Sequence, residues 1–177
     1  ARMLVIADRN PIREVLAFEP LQALPLLALR IRLEQASPVR CLVQTRDGHW
    51  HAGGAMAQAA GGGCTVPGVT RADGSWSKTL NQVHARFFGN LADGTRRLRV
   101  QIMHPMDTGL VAGVPALYIE RLELQDAAQQ PWWRMQLHEP VSENPLLTVE
   151  MPLQGPKAFR LLGQDNNGNR IDAEVRA

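Results

Sequence analysis

Proline and glycine punctuate this chain so closely that long helices have no room to form. Twelve prolines and fifteen glycines are spread through 177 residues. Proline removes a backbone donor and breaks a helix interior, and glycine weakens it, so the intervals between them favour short extended segments. Residues 3–7 are a compact apolar run that ends at Asp8-Arg9-Asn10-Pro11, a turn signal, and residues 12–18 can return as its hairpin partner. In residues 27–33, Leu27, Leu29, Ile31 and Leu33 share one face and Arg30 and Arg32 the other, the period of a half-buried strand. Residues 21–29 are the one place where a short helix competes. Residues 39–44 alternate again, and Asp47-Gly48 predicts a tight hairpin into residues 49–58.

Next comes the run Ala59-Ala60-Gly61-Gly62-Gly63-Cys64-Thr65-Val66-Pro67-Gly68. Glycine has the widest backbone freedom, so Gly61, Gly62 and Gly63 predict a flexible arm. Residues 69–83 are polar and irregular and read as linker. A second set of strands follows from about Arg86, with Asp93-Gly94 as punctuation. Its members are residues 98–103, 116–124, 132–137, 146–151, 158–163 and 170–175, and the alternation slips one step near Glu120, the mark of a bulge. Many short strands separated by turns predict an all-β chain, sandwich or barrel.

Composition excludes several classes. The net charge of +2 gives no electrostatic case for nucleic acid or an anionic membrane. No apolar stretch approaches the roughly 20 residues of a membrane-spanning helix. Hydrophobic residues make up 45%, enough to bury a core. Two cysteines cannot build a disulfide framework or a cysteine-only zinc site. Ala1 does not open a signal-peptide pattern, which fits either a cytoplasmic chain or a mature exported one.

Cys64 is the residue that most invites chemistry. A thiol after three glycines is expected outside the regular core and open to reagents, although no base or cation adjoins it in sequence. Set against this is a chemically silent loop cysteine. Cys41, between Val39 and Val43, reads as a small core residue, and a Cys41–Cys64 disulfide is an open alternative. His49 and His51 share a strand face, either as a solvated pair or as the start of a metal site with Cys64, but a third ligand is not evident. Trp50 and the pair Trp132-Trp133 are either a binding face or core and rim. No nucleophile elbow, phosphate loop or zinc-protease motif is present, so no catalytic residue, metal or cofactor is assigned.

Two sets of motifs carry a family resemblance. Met103-His104-Pro105-Met106-Asp107-Thr108-Gly109, then His138-Glu139-Pro140-Val141-Ser142-Glu143-Asn144-Pro145-Leu146, then Asp165-Asn166-Asn167-Gly168 resemble SoxZ, a scaffold subunit of thiosulfate-oxidising Sox systems. Ala7-Asp8-Arg9-Asn10-Pro11, Leu29-Arg30-Ile31-Arg32-Leu33, Val43-Gln44-Thr45-Arg46-Asp47-Gly48 and above all Gly62-Gly63-Cys64 resemble SoxY, its sulfur-carrying partner. The resemblance implies a fused carrier of the type associated with quinoprotein dehydrogenases. It implies two immunoglobulin-like β-sandwich domains joined by the glycine-rich arm and a linker. The SoxY-like domain would occupy residues 1–64, short at its beginning, the linker 65–85 and the SoxZ-like domain 86–177. The two should pack together, since a sandwich of some 64 residues is marginal alone.

By the same resemblance, Cys64 is the site of covalent sulfur attachment, and the protein is not an enzyme. It would be periplasmic, and its partners would be Sox-type enzymes or a quinoprotein dehydrogenase and cytochrome system. A homodimer through an intermolecular disulfide at the arm is a further implication. The alternative function is a non-catalytic accessory module for the dehydrogenase or cytochrome. Here the arm is not a free end, because Thr65-Val66-Pro67-Gly68 continues the chain and tethers Cys64 on both sides.

Overall fold

The computed structural model describes residues 1–89 and 94–176. Asp93 of the expected Asp93-Gly94 turn lies outside them. The described chain is built of antiparallel strands with two one-turn helices. In the first half the strands are β1 (Arg2–Ala7), β2 (Glu14–Glu19), β3 (Leu27–Ala28), β4 (Ser37–Gln44) and β5 (Trp50–Ala57). Helices α1 (Val69–Ala72) and α2 (Trp76–Thr79) follow. The second half holds β6 (Val83–Phe88), β7 (Thr95–Ile102), β8 (Ile119–Asp126), β9 (Pro131–Leu137), β10 (Leu146–Pro152), β11 (Ala158–Asp165) and β12 (Arg170–Arg176). The all-β architecture expected from the sequence is the one adopted.

These strands form two sheets around one core. The larger runs β12-β11-β8-β9-β2-β1-β4-β5 and the smaller β3-β10-β7-β6. The halves meet more closely than two tethered modules would. Strand β2 of the first half pairs with β9 of the second, in the register Leu16↔Leu137 to Glu19↔Arg134, so one sheet runs through both. Strand β3 in turn joins β10 of the smaller sheet. Alternation decides which side chains enter the core. Leu98, Val100 and Ile102 of β7 and Leu147, Val149 and Met151 of β10 face Phe18 of β2 and Trp133, Met135 and Leu137 of β9 in one buried cluster.

Both expected hairpins of the first half form, β1 with β2 and β4 with β5. The slip near Glu120 is a bulge: Gln164 pairs with Arg121 and Asp165 with Ile119, leaving Glu120 unmatched. Residues 27–33 depart from the expected strand. Only Leu27 and Ala28 pair as one, and Ile31 makes an isolated bridge to Val141. Tertiary contacts override the alternation there. The Arg32 N–H donates to the Pro140 carbonyl and the Ser142 N–H to the Arg30 carbonyl, which binds this segment across the end of the sandwich. Residues 21–29 form no helix. Among the described residues, no helix is long and apolar enough to cross a membrane.

Trp133 is fully buried, while Trp132 is half-buried, edge-on to Phe159 and donating its indole N–H to Asp126. Of the two readings of the tryptophan pair, core and rim is the one realised. Because Phe18 pairs opposite Met135 across the junction, the halves should unfold together. Phe18→Ala should remove about 3–5 kcal/mol of stability and shift a single transition, followed by circular dichroism and by tryptophan fluorescence. Two transitions, of which only one moves, would contradict a shared core.

Candidate functional site around Cys64

The glycine run lies against the body of the protein. Gly61 and Gly62 take positive φ values of 105° and 75°, conformations that side chains resist. Gly63 lies so close to the segment before β4 that a Cβ there would sit 2.6 Å from the Leu33 carbonyl oxygen. The Gly62 and Gly63 N–H groups donate to the carbonyls of Glu34 and Leu33, at 3.0 and 3.2 Å. Glycine here permits close docking.

Cys64 is consequently buried, with 2% of its surface exposed, which corrects the expectation of an open thiol. Both halves hold it. From the first half, the Glu34 carboxylate accepts the Cys64 N–H at 3.0 Å and the Thr65 hydroxyl at 3.0 Å. From the second, the Thr108 hydroxyl donates to the Cys64 carbonyl at 2.6 Å. The thiol itself points to the Arg32 carbonyl, 3.9 Å away. Burial raises the thiol pKa, the Glu34 charge raises it further, and the Arg32 cation opposes both. In this docked state the thiolate, the form that reacts, is suppressed.

The stretch expected to be irregular linker acts as a strap. The Glu143 carboxylate accepts the Val69 N–H at 2.9 Å and the Thr70 N–H at 2.6 Å, and also bonds the Thr70 hydroxyl. Arg71 pairs with buried Asp107 and stacks over Trp76, 4.1 Å from the ring centroid. The chain is therefore clamped on both sides of Cys64. The second-half motifs supply much of the clamp: Asp107 and Thr108 come from one, Glu143 from the next.

The rest of the first motif is held by a buried histidine. His104 Nδ1 accepts the Met106 N–H at 3.1 Å, and Nε2 lies 3.5 Å from Asp165. Burial outweighs the neighbouring carboxylate and depresses the His104 pKa to about 4. Arg32 crosses from the first half to this loop and donates to the Pro105 and Met106 carbonyls, at 3.0 and 2.9 Å.

The other sequence candidates do not join the site. Cys41 is half-buried on β4, opposite Val5 and Gly53, with its thiol pKa raised by burial. Both cysteines are free thiols, so the alternative disulfide is not formed. His49 and His51 lie exposed beside and on edge strand β5, and His49 contacts Asp47. Among the described residues no group of three His, Cys, Asp or Glu side chains could hold a metal. Trp50 is exposed on the same edge strand, away from the clamp. Arg32, Glu34, Thr108 and Glu143 were not singled out as site residues from the sequence. Arg32, Thr108 and Glu143 stand inside the recognised motifs, but nothing local ties them to a residue dozens of positions away.

Residues 1–64 match the family model for sulfur oxidation protein SoxY, and residues 88–176 match that for sulphur oxidation protein SoxZ. The chain is a SoxY–SoxZ fusion. The SoxY match ends on Cys64 and the SoxZ match begins at residue 88, so the strap lies between the two matched segments. The search of curated proteins finds no match for the chain.

Two predictions follow from the SoxYZ clamp. Gly63→Ala should undock the arm and speed native-state alkylation of Cys64 by iodoacetamide about tenfold or more, by favouring local opening; an unchanged rate would contradict the docking contact. His104 is held neutral, so its contribution to stability is complete above its unfolded pKa near 6.5 and is lost as pH falls toward 4. Urea denaturation should show about 2 kcal/mol lost to this group between pH 7 and pH 5. His104→Gln should lose correspondingly less over the same interval.

Proposed function

We propose that this chain, whose SoxY and SoxZ matches support a role in Sox-type sulfur oxidation, is a non-enzymatic covalent carrier. Cys64 takes up a sulfur-containing group, holds it and presents it to partner enzymes in the periplasm. One observation carries this reading: the last residue of the SoxY match is a thiol on a glycine run, pinned between the halves by a small set of hydrogen bonds to Glu34 and Thr108. Such contacts open locally at far lower cost than the fold. The docked arm shelters the sulfur, and lifting residues 61–68 exposes it for loading and transfer. Gly61, Gly62 and Gly63 serve both states, since they tolerate the docked geometry and flex once released.

Tetrathionate tests this directly. The Cys64 thiol loses its proton to solvent, and the thiolate attacks an inner sulfur of tetrathionate. A cysteine S-thiosulfonate forms and thiosulfate leaves. Intact mass spectrometry should find one adduct on the parent chain and on Cys41→Ser, and none on Cys64→Ala. Glu34→Gln, which weakens the latch, should load faster. An adduct retained by Cys64→Ala would defeat the carrier reading.

The 2% exposure of Cys64 favours a second reading, in which the thiol is inert and the protein is an accessory module for a quinoprotein dehydrogenase or cytochrome. That reading expects partner capture and cellular sulfur oxidation to be undiminished in Cys64→Ala, and the carrier reading expects oxidation to fail.

A further inference from the structure

Beside the arm lies an open pocket of about 330 Å³, bounded by Arg30, Arg32, Gly63, Ser142, Glu143 and residues 66–69. Its two arginines are brought there by the segment that failed to become a strand. Ile31 bridges to Val141 and packs against the core, and in extended backbone the residues on either side of it project the other way. Arg30 and Arg32 therefore share the face turned away from the core, and both line the pocket.

Their charges are not neutralised by direct contact. Arg32 is half-buried, yet its side chain donates only to the Pro105 and Met106 carbonyls. Arg30 is exposed. Among the described residues neither takes part in an ion pair. The two nearby carboxylates act on Arg32 through space only, Glu143 being hydrogen-bonded to residues 69 and 70 and Asp107 paired with Arg71. A partly desolvated guanidinium without a carboxylate partner offers an anion charge-assisted hydrogen bonds. The pocket also adjoins the sulfur. Gly63, on its wall, directly precedes Cys64, whose thiol contacts the Arg32 carbonyl.

We propose that this pocket is an oxyanion seat, in which Arg30 and Arg32 bind the tetrahedral oxygen-bearing end of a sulfur oxyanion, as in thiosulfate, beside Cys64. The proposal deepens the carrier reading and rests on it for the identity of the anion. On loading, the seat holds the incoming anion against the thiol. After loading, it receives the charged end of the attached group, so that the loaded arm can dock.

The test separates seat from carrier by removing the covalent chemistry. Thiosulfate is titrated calorimetrically into full-length Cys64→Ser protein, with ionic strength held constant by sodium chloride. Saturable binding is expected. Arg30→Gln on that background, an exposed change that spares the fold, should weaken it about tenfold, the size of one charge-assisted hydrogen bond. Arg2→Gln, an exposed change on β1 outside the pocket lining, should leave it unchanged. Absence of saturable binding, no weakening in Arg30→Gln, or equal weakening in Arg2→Gln would each overturn the seat, whatever tetrathionate does to the parent chain. Conversely, a parent chain that gains no mass from tetrathionate defeats the carrier reading, while the titration still decides the seat.

Discussion

The ladder between β2 and β9 is the interaction on which the rest depends. Its four residue pairs, Leu16↔Leu137 to Glu19↔Arg134, turn two family-length segments into one eight-stranded sheet. A segment of some 64 residues buries too little surface to be secure alone. Here its central strand β2 is covered by the same core that serves the second half. Fusion in one chain also replaces association at finite concentration with an intramolecular contact.

That joint determines where the arm can lie. Once β2 abuts β9, residues 29–34 run across the end of the sandwich and meet the loops of the second half at Pro140, Ser142 and Pro105. The arm then docks on Leu33 and Glu34 from one side while Thr108 reaches it from the other. Cys64 ends between the first half and the second, with the strap following it in the chain. The consequence is electrostatic as well as steric: burial and Glu34 hold the thiol protonated, while Arg32 stands close enough to favour the thiolate once the sulfur is less enclosed. On the carrier reading proposed above, the docked arm is the sheltered resting state and the released arm the reactive one.

Much of the fold was legible in advance because strand alternation and turn chemistry are local. The hairpins β1–β2 and β4–β5, the bulge at Glu120 and most second-half strands follow from the period of apolar residues and from Asn, Asp, Gly and Pro at the turns. Residues 27–33 misled because their alternation is real but serves another end. Ile31 faces the core through a single bridge, and the arginines face a pocket. The two helices in residues 69–79 had no apolar period to announce them and depend on Glu143 and Asp107 for their placement.

The identity of the candidate thiol was also readable, since a cysteine behind three glycines is unusual in any chain. Its exposure was not. Glycine reports only that the backbone is unrestricted, and the same freedom serves a swinging tether or a tightly fitted one. Composition, patterning and motifs thus determined an antiparallel β protein of the SoxY and SoxZ families with its distinctive sulfur at residue 64. Tertiary structure alone decided that this sulfur is covered, that Glu34 and Thr108 cover it and that Arg30 and Arg32 stand beside it, because each of those contacts joins residues far apart in sequence and the Thr108 contact forms only when the two halves meet.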